Sequence, residues 1–161
     1  MNAARALKLD LARGTRAWTP ARTRMNRWAA AALGRKGTDR EIAVRVVAAN
    51  ESQKLNRLWR GKDKPTNVLS FPAPPALKHR ATRREQDEAS PLGDLVICAQ
   101  VVREEAGRYG RRLEAHWAHM VIHGALHLAG YDHERSERDR MKMERREILV
   151  LKSLGFGNPY T

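Results

Sequence analysis

The sequence predicts a single domain of mixed α and β structure: four short strands, about five helices, and a metal site on a buried histidine-bearing helix. Three observations predict it. A chain of 161 residues suits one domain that can bury its own core. Four short runs alternate or are continuously apolar, and they are separated by longer stretches whose apolar residues recur at helical spacing. Third, His123, His127 and His133 stand at offsets zero, four and ten, with Gly130 at offset seven.

Taken in order, Ala6 to Ala12 reads as a strand with Leu7, Leu9 and Leu11 on one face. Pro20 suits the first turn of a helix capped by Thr19. That helix runs to about Leu33, with Met25, Trp28, Ala29 and Ala32 inward, and Gly34 and Gly37 mark its stop. Glu41 to Ala49 alternates Ile42, Val44 and Val46 against Arg45, a strand. Asn50 caps a helix from Glu51 to about Arg60, with Leu55, Leu58 and Trp59 on its buried side and Gly61 closing it. A charged turn, Lys62-Asp63-Lys64-Pro65, leads into a short strand from Asn67 to Phe71. Pro72 to Pro91 is rich in proline, alanine and charge, including Arg80, Arg83 and Arg84, and reads as a long, mobile, basic loop, a wide hairpin connection.

Gly93 to Cys98 is a near-continuous apolar strand suited to a central position, and it leads into a helix from Ala99 to Tyr109. The next helix, Leu113 to Ala129, is apolar nearly all round and is therefore expected to be buried. Its polar side chains after Glu114 are imidazoles, His116, His119, His123 and His127, which need partners because an unpaired buried polar group costs about 1–3 kcal/mol. The last helix, Ser136 to Ser153, turns Met143, Val150 and Leu154 inward, with Glu147 in the same stripe. Glu147 either orients a metal-binding histidine through its other ring nitrogen or forms a structural ion pair.

Composition narrows the function. The formal net charge of +13 favours polyanionic partners, nucleic acid or an anionic membrane surface. No apolar run approaches the ~20 residues needed to span a bilayer. The first residues are arginine-rich and acid-poor, but the alternation of Leu7, Leu9 and Leu11 argues for folded structure rather than a transit peptide. The single cysteine, Cys98, excludes an intrachain disulfide; it is expected to be a buried thiol and fits a reducing, cytoplasmic setting.

The histidine spacing carries the chemistry. Residues four apart on a helix share a face, with roughly 5–6 Å between Cβ atoms. A left-handed glycine then ends the helix, and the reversed chain can bring His133 back to the same point. Three imidazoles with an open fourth position are the pattern of a catalytic zinc site, one ion per chain, though copper and nickel also accept nitrogen donors. The spacing equals that of H-E-x-x-H-x-x-G-x-x-H, but Gly124 stands where that motif carries its glutamate base. The cage of a peptidase is thus present without the peptidase's base. Zinc held by three imidazoles lowers the pKa of bound water to about 7, and phosphodiester cleavage suits such a site if a cation meets the developing phosphate charge. Arg60, ending a helix before a glycine-and-lysine turn, is the strongest candidate for that cation. Lys62 and Lys64 are candidate RNA contacts. Stacked aromatics normally confer single-strand preference, but the nine aromatic residues read as mostly buried, so composition does not supply that preference.

The run Arg60-Gly61-Lys62-Asp63-Lys64-Pro65-Thr66-Asn67-Val68-Leu69-Ser70-Phe71-Pro72, then Leu92 to Ile97, the His123–His133 block and the terminal Leu154 to Tyr160 together resemble the YbeY family, bacterial single-strand-specific endoribonucleases of ribosomal RNA maturation. The likeness covers residues 40 to 160 well and the first forty by element order. It implies an α+β fold with a small mixed sheet, zinc held by His123, His127 and His133, and Arg60 as the catalytic arginine, with His123 part of the catalytic set. It also implies the small ribosomal subunit, its RNA and its proteins as partners, late processing at the RNA's 3′ end, and ribosome quality control; neither DNA nor membrane is expected. His116 and His119 are not ligands in this reading. The main departure is the loop from Pro72 to Pro91, longer and more basic than the family leads one to expect. Two other readings compete: a ribosome-assembly binding factor with a structural zinc, and a zinc hydrolase acting on peptides or other non-RNA substrates.

Overall fold

A computed structural model describes residues 3–74 and 89–161. Its strands are β1 (Lys8–Arg13), β2 (Arg40–Val47), β3 (Val68–Pro72) and β4 (Ser90–Cys98). Its helices are α1 (Arg22–Leu33), α2 (Ala49–Arg60), α3 (Ala99–Arg108), α4 (Leu113–Leu128) and α5 (Glu137–Ser153), with a short 3-10 turn, Gly34–Gly37, after α1. The sheet order is β1-β2-β4-β3. β1, β2 and β4 run parallel, and β3 returns antiparallel along the edge, Val68 opposite Ile97 and Phe71 opposite Asp94. This is the four-stranded mixed sheet with five helices expected from the sequence.

β4 is central because both its faces are covered. Leu95 and Ile97 point into the main core, shared with Trp28 and Met25 of α1, Trp117, Val121 and Ile122 of α4, and Met143 and Val150 of α5. Val96 points the other way, into a small cluster with Val47 and Leu69 against which Leu55 of α2 packs. Full burial of each such aliphatic side chain contributes about 1.5–3 kcal/mol. Cys98 is buried and unpaired, as expected.

Two glycines let α4 lie close on the β3–β4 pair. A Cβ at Gly124 would stand 2.8 Å from Leu95 Cδ2 and 3.3 Å from Val68 Cγ2. At Gly93, where φ is 152°, it would stand 2.5 Å from the Phe71 carbonyl oxygen and 2.6 Å from Leu128 Cδ2. The position that carries a base in peptidases therefore faces the sheet, with no room for a side chain.

Several local expectations are corrected. β1 starts at Lys8, not Ala6. Thr19 and Pro20 precede α1, whose N-cap position is Ala21, and α2 starts at Ala49, so Asn50 lies inside it; neither helix has a side-chain cap. On α2 the expected buried face is wrong. Leu58 and Trp59 are exposed, Leu55 is half-buried, and the buried residues are Ser52 and Asn56. The physical reason is tertiary. The Ser52 hydroxyl donates to the Thr66 carbonyl at 3.0 Å and accepts from the Thr66 N–H at 2.9 Å, while the Asn56 amide donates to the Lys64 carbonyl at 2.8 Å. The helix turns its polar stripe inward to hold the turn that leads to β3. On α5, Leu151 joins Met143 and Val150 in the buried stripe, with Leu154 half-buried against the core just past the helix end, and Ser136 is the N-cap, accepting from the Asp139 N–H at 3.1 Å. The segment read as a loop from Pro72 to Pro91 is shorter, since Pro72 ends β3 and Ser90 and Pro91 begin β4; its residues 75–88, with Arg80, Arg83 and Arg84, lie outside the described residues.

Candidate metal centre

α4 ends as the spacing predicts. Gly130 is left-handed at φ 102°, its N–H donates to the His127 carbonyl, and the Tyr131 N–H donates to the Leu126 carbonyl, both at 3.0 Å. This pair of reversed bonds closes the helix and turns the chain back. His123, His127 and His133 converge as a result. His123 Nε2 and His127 Nε2 are 3.1 Å apart, and His133 Nδ1 is 3.0 Å from His127 Nε2.

The tautomers suit a cation. The His127 Nδ1–H donates to the Tyr131 carbonyl at 3.0 Å, and the His123 Nδ1–H donates to Glu147 Oε1 at 2.5 Å. Each bond places the proton on Nδ1 and leaves the Nε2 lone pair facing the centre. Burial lowers the His127 pKa to about 4, and the neighbouring His123 and His133 push the same way, so this ring is neutral near pH 7. The Nε2 lone pairs of His123 and His127 face one another at 3.1 Å and repel unless a cation joins them, and His133 Nδ1 reaches the same point. A tetrahedral zinc ion about 2.0–2.1 Å from each nitrogen would set them about 3.3 Å apart, within a few tenths of an ångström of the spacing found. The donor set therefore fits a metal ion.

Glu147 lies beneath the triad, fully buried. It receives the His123 bond, a second from the His119 Nε2–H at 3.0 Å, and a third from the Tyr160 hydroxyl. Burial alone would raise its carboxyl pKa, but the bonds from His119 and His123 outweigh that and hold it well below the usual carboxylate range. His119 is kept neutral by burial, only partly offset by Glu147, and burial with the Glu147 bond pushes the Tyr160 hydroxyl up. His119, His123 and Glu147 also lie close enough to share an ion. Their facing atoms are already paired as donors and acceptor, however, so the group works as a hydrogen-bonded support. His116 takes part in neither cluster; its Nε2–H meets Glu105 Oε1 at 3.0 Å.

The triad opens into a cleft of about 690 Å³, bounded by β3, the end of α2 and the loop from Gly130 to Arg135. Arg60 lines it. Its Nη2 donates to Glu134 Oε1 at 3.0 Å, and Glu134 follows the third histidine directly. The helix end and the metal loop, 74 residues apart in sequence, thus meet across the cleft. Lys62 and Lys64 are exposed on the next turn and do not line it. The expectation that most aromatics are buried is corrected: of the nine, only Trp28 and Trp117 are buried, and Trp59 stands in the cleft wall beside Phe71.

Sequence reasoning brought together the three histidines, Arg60 and Glu147. It missed Tyr160, Glu134, the Tyr131 carbonyl and Trp59. The one available signal was the placement of Glu134 beside His133; the others depend on contacts made only in the folded chain. Among the described residues, no helix is long and apolar enough to cross a membrane.

Comparison with known proteins bears on fold and family. A solution structure of TM1509 from Thermotoga maritima is similar, with a TM-score of 0.57 and 25% sequence identity over 91% of each chain. The family model described as endoribonuclease YbeY matches residues 16–155, which include Arg60, all three histidines of the triad and Glu147. The chain belongs to the YbeY family of endoribonucleases.

Proposed function

We propose that this protein is a zinc-dependent, single-strand-specific endoribonuclease that acts in ribosomal RNA maturation, at the 3′ end of the small-subunit RNA, and in ribosome quality control. The observation that carries the reading is a cleft with three convergent imidazoles on its floor and the guanidinium of Arg60 on its wall. His123, His127 and His133 hold the ion. Bound there, zinc supplies Lewis-acid activation of water. Glu147 and the Tyr131 carbonyl keep the first two rings in the binding tautomer. Arg60 engages a phosphate oxygen and offsets the charge that develops at phosphorus. Lys62 and Lys64 contact flanking phosphates, and the net charge of +13 draws the polyanion in. The partners are ribosomal RNA and the small subunit with its proteins, and the setting is the cytoplasm.

The competing readings fit less well. Structural zinc sites are closed four-ligand cages, whereas these three histidines are all partly exposed and line or adjoin an open cleft. A peptidase of the H-E-x-x-H type would carry its base at position 124, which here is a glycine packed against Leu95. The test is cleavage of a defined precursor RNA by wild type, Arg60→Ala and His123→Ala, with elemental analysis of each protein. Arg60→Ala is expected to lose about 10²–10³ in rate while keeping its metal. His123→Ala loses both. Undiminished cleavage by Arg60→Ala rejects its assigned role, and cleavage by metal-free wild type rejects the metal-dependent reading.

A further inference from the structure

We infer that Trp59 and Phe71 form a stacking platform for one unpaired nucleobase, and that this platform, rather than the metal, selects single-stranded substrate. The inference rests on the endoribonuclease reading and names how that same cleft recognises its substrate.

Four observations converge. Trp59 is 64% exposed, although a tryptophan is among the costliest side chains to leave in water. Its exposure is imposed, because α2 turns Ser52 and Asn56 inward to hold the 64–66 turn and so rotates its apolar edge outward. Trp59 is not a loose side chain: its ring meets Phe71 edge-on, with centroids 5.8 Å apart and planes at 72°. Finally, both rings line the cleft that contains His123, His127 and Arg60, and Trp59 directly precedes Arg60.

An edge-on pair leaves the indole a face for a partner. A nucleobase fits that partner by shape and polarity, because every base has a flat π surface and stacking tolerates any sequence. The adjoining guanidinium supplies the complement for the phosphate of the same nucleotide. A paired base cannot use the platform, since its faces are already stacked within the duplex. Substrate whose base can swing out onto Trp59 is therefore seated with its phosphate towards Arg60 and the triad, and duplex RNA is not.

The test uses full-length protein and a short fluorescent single-stranded oligoribonucleotide, scanned with a single abasic residue at each position. Binding is read by anisotropy and cleavage by gel, for wild type, Trp59→Ala and Trp59→Phe, with melting curves to show that each variant folds. Trp59→Ala is expected to weaken binding about 5- to 150-fold, the range that one base–aromatic stack provides, while Trp59→Phe stays close to wild type. At one position, the abasic substitution should cost wild type that same factor and cost Trp59→Ala nothing. Cutting of duplex RNA should change little in Trp59→Ala, so its preference for single strands over duplex should narrow. If wild type cuts RNA while Trp59→Ala binds as tightly, or if no abasic position shows the coupling, the inference is overturned and the endoribonuclease reading survives. Wild type that neither binds nor cuts RNA overturns both.

Discussion

Glu147→Gln isolates the support beneath the triad from the triad itself. Three donors meet the two carboxylate oxygens of Glu147: His119 Nε2–H, His123 Nδ1–H and the Tyr160 hydroxyl. Glutamine keeps the shape but replaces one oxygen with an NH₂ donor. Turned one way, the NH₂ faces His123 and drives its proton onto Nε2, where it blocks the lone pair meant for the ion. Turned the other way, it opposes His119 and Tyr160. Turned the first way, the amide's second N–H has no acceptor; turned the second way, donors face donors; either costs about 2 kcal/mol. For a chain of this length that lowers the melting temperature by about 4–8 °C. Loss of the carboxylate that orients a ligand histidine also lowers metal affinity about 10- to 100-fold. The assays are calorimetry of metal-free protein and zinc titration in competition with a chromogenic chelator. Tyr160→Phe serves as the control: it removes a donor from the same carboxylate but leaves the His123 bond, so zinc affinity should stay near that of wild type. If Glu147→Gln binds zinc as wild type does, the carboxylate does not set the His123 tautomer and the reasoning fails. If Tyr160→Phe loses as much affinity as Glu147→Gln, the effect is not specific to His123.

Three further outcomes are expected. Metal-free protein should lose stability as pH falls from about 6.5 towards 4: His127 and His119 are held neutral when folded but protonate near 6.5 when unfolded, so the unfolded chain takes up the protons first. Urea midpoints across that range check it, and a flat profile would contradict burial as the cause. Gly93→Ala should destabilise by about 2–6 kcal/mol, combining a strained backbone with overpacking against the Phe71 carbonyl, where a Cβ would sit 2.5 Å away; chemical denaturation measures it, and a loss under about 1 kcal/mol would mean that the strands part easily. Binding of single-stranded RNA should weaken steeply with salt, with a slope of about −0.7 per phosphate neutralised; a slope near zero would show that the excess positive charge has another use.

What the sequence made legible was chiefly local. His123 and His127 are one helical turn apart, and the glycine-terminated helix needs only Gly130 and its neighbours, so the triad could be read from spacing. Glu147 was visible as a carboxylate in an apolar stripe, and Cys98 as a thiol in an apolar run. The failures were not local. The inward face of α2 is set by backbone groups at Lys64 and Thr66, whose positions depend on the turn, so Leu58 and Trp59 were placed on the wrong side. Tyr160 reaches His119 across 41 residues, and Glu134 reaches Arg60 across 74. No periodicity encodes such encounters. The caps assigned to Thr19 and Asn50 failed for a related reason: helix starts are set where the chain leaves the preceding strand or turn, and side-chain preference at the terminus is a weaker influence.

The pairing of Arg60 with Glu134 makes the cleft an anion exchanger. The guanidinium already holds a carboxylate, so any ligand that takes it must bring negative charge of its own. The pair is partly solvated, with 39% and 63% of the two side chains exposed, and such pairs contribute only about 0–1 kcal/mol. Displacement is therefore easy for a phosphate and unrewarding for a neutral molecule. On the proposed role of Arg60, the same carboxylate would compete with a bound phosphate for the guanidinium and so favour release of a cut strand.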